Sequence, residues 1–284
     1  MNTILVPTDF SDSSINAGKY AFSFASRVGA TKVVLYHTYS DSSQVNYGII
    51  PADPMLLNEA QIDFEHIEKI ALNGLEHFKS ELNAYCPPNM AVELIAKYGF
   101  LTDDIKTTQN EVGADIIIMS ITGGGLFTES VIGSDAVVVA RQSNVPVLII
   151  PPHVSYKEVN NILLVSDFED VMGTVPTSQI KNMLDATKGK LNILHLSKEN
   201  SYPYNQNSEE RYLFESIFDG YTLSFHFMFA LSFADGINDF SRENNMDIVV
   251  IIPKKHSLLE SLFVKSHTKE LAFHSQLPVM VVHS

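Results

Sequence analysis

Short apolar runs alternate along this chain with longer stretches in which apolar residues recur at helical spacing. The runs Ile4–Val6, Lys32–Tyr36, Val92–Ala96, Ile116–Met119 and Val147–Ile150 are strand-sized and rich in β-branched residues. Between them, Ile15, Ala21, Phe22, Ala25 and Val28 line one side of a helix over residues 11–28. Over residues 59–82, Ile62, Ile67, Ile70, Leu75, Phe78 and Leu82 do the same. Strands that are almost continuously apolar are buried on both faces, and strands alternating with helices give a parallel sheet with right-handed crossovers. The pattern predicts a doubly wound α/β sheet, in which ligands bind beyond the carboxyl ends of the strands where strand order reverses.

The pattern occurs twice. Residues 2–10 (Asn-Thr-Ile-Leu-Val-Pro-Thr-Asp-Phe) are matched by residues 160–168 (Asn-Asn-Ile-Leu-Leu-Val-Ser-Asp-Phe), and Val33–His37 falls on Leu191–His195 at the same spacing. Later, Asp115–Ile118 meets Asp247–Val250, and Val145–Ile150 meets Leu277–Val282. Identical Asp, His and Pro landmarks in register identify a tandem duplication with a shortened middle in the second copy. The expected architecture is two Rossmann-like modules, residues 1–152 and 159–284, joined by the connector Pro151–Glu158. The last strands, Val147–Ile150 and Val279–Val282, are placed to pair with each other and form a pseudo-dimer within one chain. A further homodimer stays open, and the sequence names no protein partner. The polar segment Ser40–Asn58 has no counterpart in the second copy and fits either a lid or a plain surface insertion.

Composition narrows the class. Of 284 residues, 45% are apolar and 18% charged, a globular balance, and the net charge of −14 is shared by both halves. Without a basic stripe, nucleic acid and anionic membrane are disfavoured as partners. The amino terminus lacks a signal-peptide pattern and no apolar run is long enough to span a bilayer, so a soluble cytoplasmic protein is expected. The single cysteine, Cys86, rules out an internal disulfide.

Candidate chemistry follows the strand Ile116–Met119. Residues 120–134 begin Ser120-Ile121-Thr122-Gly123-Gly124-Gly125 and end Ile132-Gly133-Ser134, where an apolar helix starts. Glycines let the backbone approach an anion closely, and the bare N–H groups of a helix start favour phosphate. Ser120, Thr122 and Ser134 add hydroxyl donors.

With this loop the chain resembles the universal stress proteins, whose nucleotide-binding members carry G-x2-G-x9-G-[ST] here and a first strand ending in aspartate. This sequence offers Ser120-x2-Gly123-x9-Gly133-Ser134 and Pro7-Thr8-Asp9-Phe10-Ser11, and the resemblance spans both repeats. It implies an adenine nucleotide, ATP or AMP, with Pro7, Thr8 and Asp9 beside the adenosine. It places Thr38 with its backbone at adenine, and Ser120, Thr122, Gly123, Gly133 and Ser134 at the phosphates. Asp9 has a structural reading too, as a cap of the helix starting near Ser11. The departures are Ser120 for the first glycine, and Glu129 and Asp135 with no Lys or Arg between Lys106 and Arg141. They point to help from Mg²⁺ or to a ligand of lower charge.

The second copy reads Ile252-Pro253-Lys254-Lys255-His256 at this loop and Lys265-Ser266-His267 at its end, so its cradle is degenerate. Lys254, Lys255 and Lys265 fit a solvated loop better than an anion site. His256, His267 and His274 fit surface positions better than a metal site. Phe225, Phe227 and Phe229 alternate as one face of a strand and are expected in the core, an apolar ligand cavity being the alternative. A regulatory protein signalling through conformation or partner binding is the leading function. The alternatives are a ligand-free scaffold, a slow ATPase, or an ATP-using enzyme of the α-hydrolase type. The last lacks its glycines at Thr8–Ser13, and no placed nucleophile or base is evident.

Overall fold

The computed structural model describes residues 1–40, 64–121, 134–197, 209–253 and 277–283. The first half runs β1 (Thr3–Pro7), α1 (Asp12–Val28), β2 (Lys32–Tyr39), α2 (Phe64–Leu82), β3 (Ala91–Tyr98), α3 (Leu101–Val112), β4 (Ile116–Ser120), α4 (Ser134–Gln142) and β5 (Val147–Ile150). The second runs β6 (Asn161–Val165), α5 (Val171–Thr174), α6 (Thr177–Thr187), β7 (Lys190–Ser197), α7 (Glu209–Ile217), β8 (Leu223–Phe229), α8 (Phe233–Glu243), β9 (Ile248–Ile251) and β10 (Val279–Val281).

The described strands form one sheet of ten in the order β3-β2-β1-β4-β5-β10-β9-β6-β7-β8. Every pairing within a half is parallel, and the halves meet where β5 pairs antiparallel with β10. Val147 lies opposite Val281, Leu148 opposite Met280 and Ile149 opposite Val279. The expected pseudo-dimer is therefore a continuous sheet, with each half a doubly wound module. β1, β4, β5 and β9 are buried along their whole length, as the unbroken apolar runs require. No described helix is long and apolar enough to cross a membrane.

Duplicated hydrogen bonds hold the two frameworks. The Asp115 carboxylate accepts the main-chain N–H of Asn2 (2.5 Å) and Thr3 (3.0 Å), and Asp247 accepts those of Asn160 and Asn161, both at 2.8 Å. Each carboxylate thus ties the entry of its module's central strand to the start of β4 or β9. The connector is not a free spacer. Asn16 on α1 donates to the carbonyls of Pro151 (3.3 Å) and Val154 (2.9 Å), Arg27 pairs with Glu158 at 2.8 Å, and Tyr156 packs edge-on against Tyr20.

The aromatic strand β8 is half-buried. Phe225 and Phe227 pack against Phe168 at 6.3 and 5.4 Å between ring centres, and Phe225 also against Phe214. The rings fill that space with one another, as core residues do, while Phe229 at the strand end is exposed.

Leu148 and Met280 are fully buried at the centre of the seam. Met280→Ala is expected to cost about 2–5 kcal/mol, the usual toll of truncating a core methionine. Urea unfolding should register the loss for the whole chain, and a loss below about 1 kcal/mol would show that the seam is not core.

Candidate functional site

Strand order reverses between β1 and β4, because the chain winds outward to β2 and β3 and then returns to the other side of β1. Ligands of doubly wound sheets bind at such a switch point. A cavity of about 200 Å³ opens there, lined by Pro7, Thr8 and Asp9 from the end of β1, His37 and Thr38 from β2, and Met119, Ser120 and Ile121 from β4. Ser14 from α1, Leu101 from α3, and Asp135 and Ala136 from the first turn of α4 complete it.

Of the residues singled out from the sequence, Pro7, Thr8, Asp9, Thr38 and Ser120 come together on this one cavity. Ser134 is the first residue of α4, which presents its amino-terminal end to the cleft. Thr122, Gly123 and Gly133 lie outside the described residues, as do Glu129, most of the Ser40–Asn58 segment, and the second-copy Lys254, Lys255, His256, Lys265, Ser266, His267 and His274. Thr38 sits inside β2 and not beyond it. Its backbone is nonetheless well placed. The Thr8 N–H donates to the Tyr36 carbonyl at 2.8 Å, so the even residues of β2 turn their main-chain groups toward β1. β1 has ended by the level of Thr38, and its N–H and C=O face the cleft.

The turn after β1 is tightly specified. The Asp9 carboxylate accepts from the Ser11 N–H (3.1 Å), the Ser11 hydroxyl (2.6 Å) and the Ser14 hydroxyl (2.5 Å). Asp9 is thus not itself the helix cap. Ser11 caps α1 by accepting from the Ser14 N–H, and Asp9 orients that cap. Phe10 takes a left-handed φ of 64°, a conformation unfavourable for a residue with a Cβ. It is held there by its N–H bond to Thr8 Oγ1 (3.0 Å) and by its ring, which packs 4.3 Å from His37. Gly74 on α2 makes that packing possible, since a Cβ there would come within 2.8 Å of the Phe10 ring.

Sequence reasoning did not place His37 in the cleft wall, although its recurrence as His195 was the available signal. The Nδ1–H of buried His37 donates to the Thr8 carbonyl at 2.8 Å, and His195 makes the matching bond to Ser166 at 3.2 Å. Burial holds both imidazoles below the ordinary histidine pKa, only partly offset by the carbonyl bond and the nearby carboxylates, Asp9 and Asp167 among them. Ser14, and the apolar Leu101, Met119, Ile121 and Ala136, carried no sequence signal of a site.

The second module keeps the framework and loses the wall. Phe168 repeats the left-handed φ at 59°, its N–H donates to Ser166 Oγ at 3.1 Å, and Asp167 accepts from the Glu169 N–H at 3.0 Å. The positions matching Thr38 and Ser120 are Leu196 and Ile252, both buried. Among the described residues, no group of His, Cys, Asp and Glu could hold a metal ion.

His37 and His195 bind a proton more readily in the unfolded chain than in the fold. Their contribution to stability is present above the ordinary pKa of 6.5 and is lost as pH falls below it. Replacing both with asparagine, which retains a donor near Nδ1, should flatten the fall in urea stability between pH 7.5 and pH 5. An equal fall in the wild type and the double variant would assign the acid sensitivity to other groups.

Comparison with known proteins places this geometry. The family model described as "Universal stress protein family" matches residues 1–151 and 231–283. A universal stress protein of Methanocaldococcus jannaschii is 29% identical over 154 residues, covering 52% of this chain and 93% of that protein. A universal stress protein structure from Archaeoglobus fulgidus superposes with a TM-score of 0.68 at 18% identity, covering 99% of this chain and 96% of that one. A Pseudomonas aeruginosa protein described as functionally unknown superposes at 0.58 and 16% identity, covering 99% and 92%. The last two likenesses, at such low identity, speak for the fold.

Proposed function

The chain belongs to the universal stress protein family, and from that premise we propose that its first module, residues 1–152, binds an adenine nucleotide, ATP or AMP. The second module, residues 159–284, carries a degenerate site, and the output is a change of conformation or of partner binding. The observation that carries this reading is the gathering of Pro7, Thr8, Asp9, Thr38 and Ser120 around one cavity at the strand-order reversal. Thr38 offers an outward strand edge for the flat base. Thr8 and Asp9 stand where a ribose would lie, and Ser120 with the start of α4 faces the phosphates, joined by Thr122, Gly123, Gly133 and Ser134 of the glycine loop. Main-chain N–H groups and hydroxyls then do the work that basic side chains do in other phosphate sites. The buried Leu196 and Ile252 of the second module support a site there that no longer offers a polar wall.

Heat extraction of the purified protein should release an adenine nucleotide, or calorimetry should detect ATP or AMP binding. Ser120→Leu, which fills the cavity, and Gly123→Val, which stiffens the loop, should each weaken binding by about tenfold or more while leaving the fold intact. Unchanged affinity in both variants would refute the assigned site, and a protein that neither carries nor binds a nucleotide would be a scaffold.

Asp9 and Asp135 line the cavity, and no Lys or Arg lines it among the described residues. A carboxylate beside a phosphate is repulsive, and a divalent cation arriving with the nucleotide offsets that repulsion. Mg²⁺ should therefore tighten ATP binding more than AMP binding. An equal effect on the two ligands would remove the carboxylates from the phosphate end of the site.

A further inference from the structure

The antiparallel join puts the starting ends of β9 and β10 on the same side of the sheet as the carboxyl end of β5. A cavity of about 380 Å³ lies there, between the two halves, within the size range in which proteins hold small molecules. Three parts of the chain build it: Tyr20 from α1 of the first half, Val154 and Lys157 from the connector, and residues 245–247 with Pro278 at the starts of β9 and β10. Neither half alone supplies all of its walls, so the cavity is a product of the tandem arrangement. It shares no lining residue with the cleft at the end of β1.

The connector is fixed as a wall by the bonds of Asn16 to the Pro151 and Val154 carbonyls. Tyr20 is 2% exposed and reaches the cavity, with its ring held edge-on by Tyr156 at 5.2 Å and stacked on Phe24 at 6.4 Å. Its hydroxyl makes no hydrogen bond among the described residues. Burial, with Tyr156 and the Asp247 carboxylate adding to it, pushes that hydroxyl far above the usual tyrosine range, so it keeps its proton and stays a donor. Asp247 spends one carboxylate oxygen on the N–H groups of Asn160 and Asn161, both at 2.8 Å. Its other oxygen has no hydrogen bond among the described residues, and exposed Lys157 has no ion pair among them. Val154, Met246 and Pro278 add apolar surface. A buried donor without an acceptor is a cost to the fold, and such exceptions call for a partner from outside the chain.

We infer that this seam cavity binds a small zwitterion, an apolar amino acid or dipeptide. Its ammonium pairs with the unspent oxygen of Asp247, its carboxylate takes the Lys157 ammonium and the Tyr20 hydroxyl, and its side chain lies on the apolar surface. The charges of the wall argue for both ends together. A plain anion would meet Asp247 and a chain of net charge −14. A plain cation would leave Lys157 and the Tyr20 donor without an acceptor. A zwitterion carries no net charge and answers both.

Calorimetry of the full chain with L-leucine, L-phenylalanine and leucyl-leucine tests this. At least one should bind saturably. Its carboxamide and N-acetyl analogues, each lacking one charge, should bind about tenfold more weakly or worse. Lys157→Gln should weaken binding by about tenfold. Tyr20→Phe, which keeps the ring and removes the hydroxyl, should weaken it by about threefold to tenfold. Circular dichroism and urea unfolding should report an unchanged fold in both variants. A chain that binds none of the three probes overturns the inference. So does an analogue that binds as tightly as its parent, which would make this a site for a plain anion or a plain cation. An affinity untouched by both variants would put the ligand elsewhere and overturn it as well.

Discussion

The architecture rests on the short antiparallel ladder between β5 and β10. Left open, each would be an apolar strand edge with unpaired main-chain groups, a costly arrangement in a small domain. Their pairing closes both edges at once and merges the cores, so Leu148 and Met280 sit in the same apolar cluster as residues of both halves. It also fixes direction. Within each half the strands are parallel, so an antiparallel join sends the carboxyl ends of the two halves to opposite sides of the sheet. The cleft of the first half and the matching strand ends of the second consequently point in opposite directions. The end of the chain returns to the first half, where His283 donates to the Ala140 carbonyl at the end of α4.

The two copies preserve different things for different physical reasons. The bonds repeated in both, Asp115 and Asp247 at the strand entries and His37 and His195 on the carbonyl after the central strand, satisfy main-chain groups at the sheet ends. Losing one would leave a buried (His37) or partly buried polar group unpaired, a cost the fold bears whether or not a ligand is present. The cleft wall obeys another rule. A hydroxyl or an open strand edge there is useful only when something polar occupies the cavity. In the second half, leucine and isoleucine stand at those positions and add to the core. Phe168 is likewise more deeply packed than Phe10, among Phe214, Phe225 and Phe227.

Alternation of apolar runs and helical stripes was enough to give the fold class, and the paired landmarks were enough to give the duplication. Both are written in short-range patterns: burial on two faces demands unbroken apolar strands, and a repeat demands only comparison of the chain with itself. The resemblance to the universal stress proteins, and not the alternation, named Pro7, Thr8, Asp9, Thr38 and Ser120 together; the doubly wound sheet makes the ends of their strands neighbours.

Tertiary structure decided what depends on distance and direction. Whether Asp9 caps a helix or orients the cap turns on which oxygen meets which donor, and the chain alone does not order Ser11 and Ser14. That His37 is a wall of the cleft depends on the β1–β2 register, which sets its imidazole against the Thr8 carbonyl. The linker, an extended connector by composition, becomes part of the core boundary because α1 offers Asn16 and Tyr20 at the right height. Residue types and spacing select the elements and their order; the partner of each polar atom is set only once the strands are aligned and the helices have packed across them.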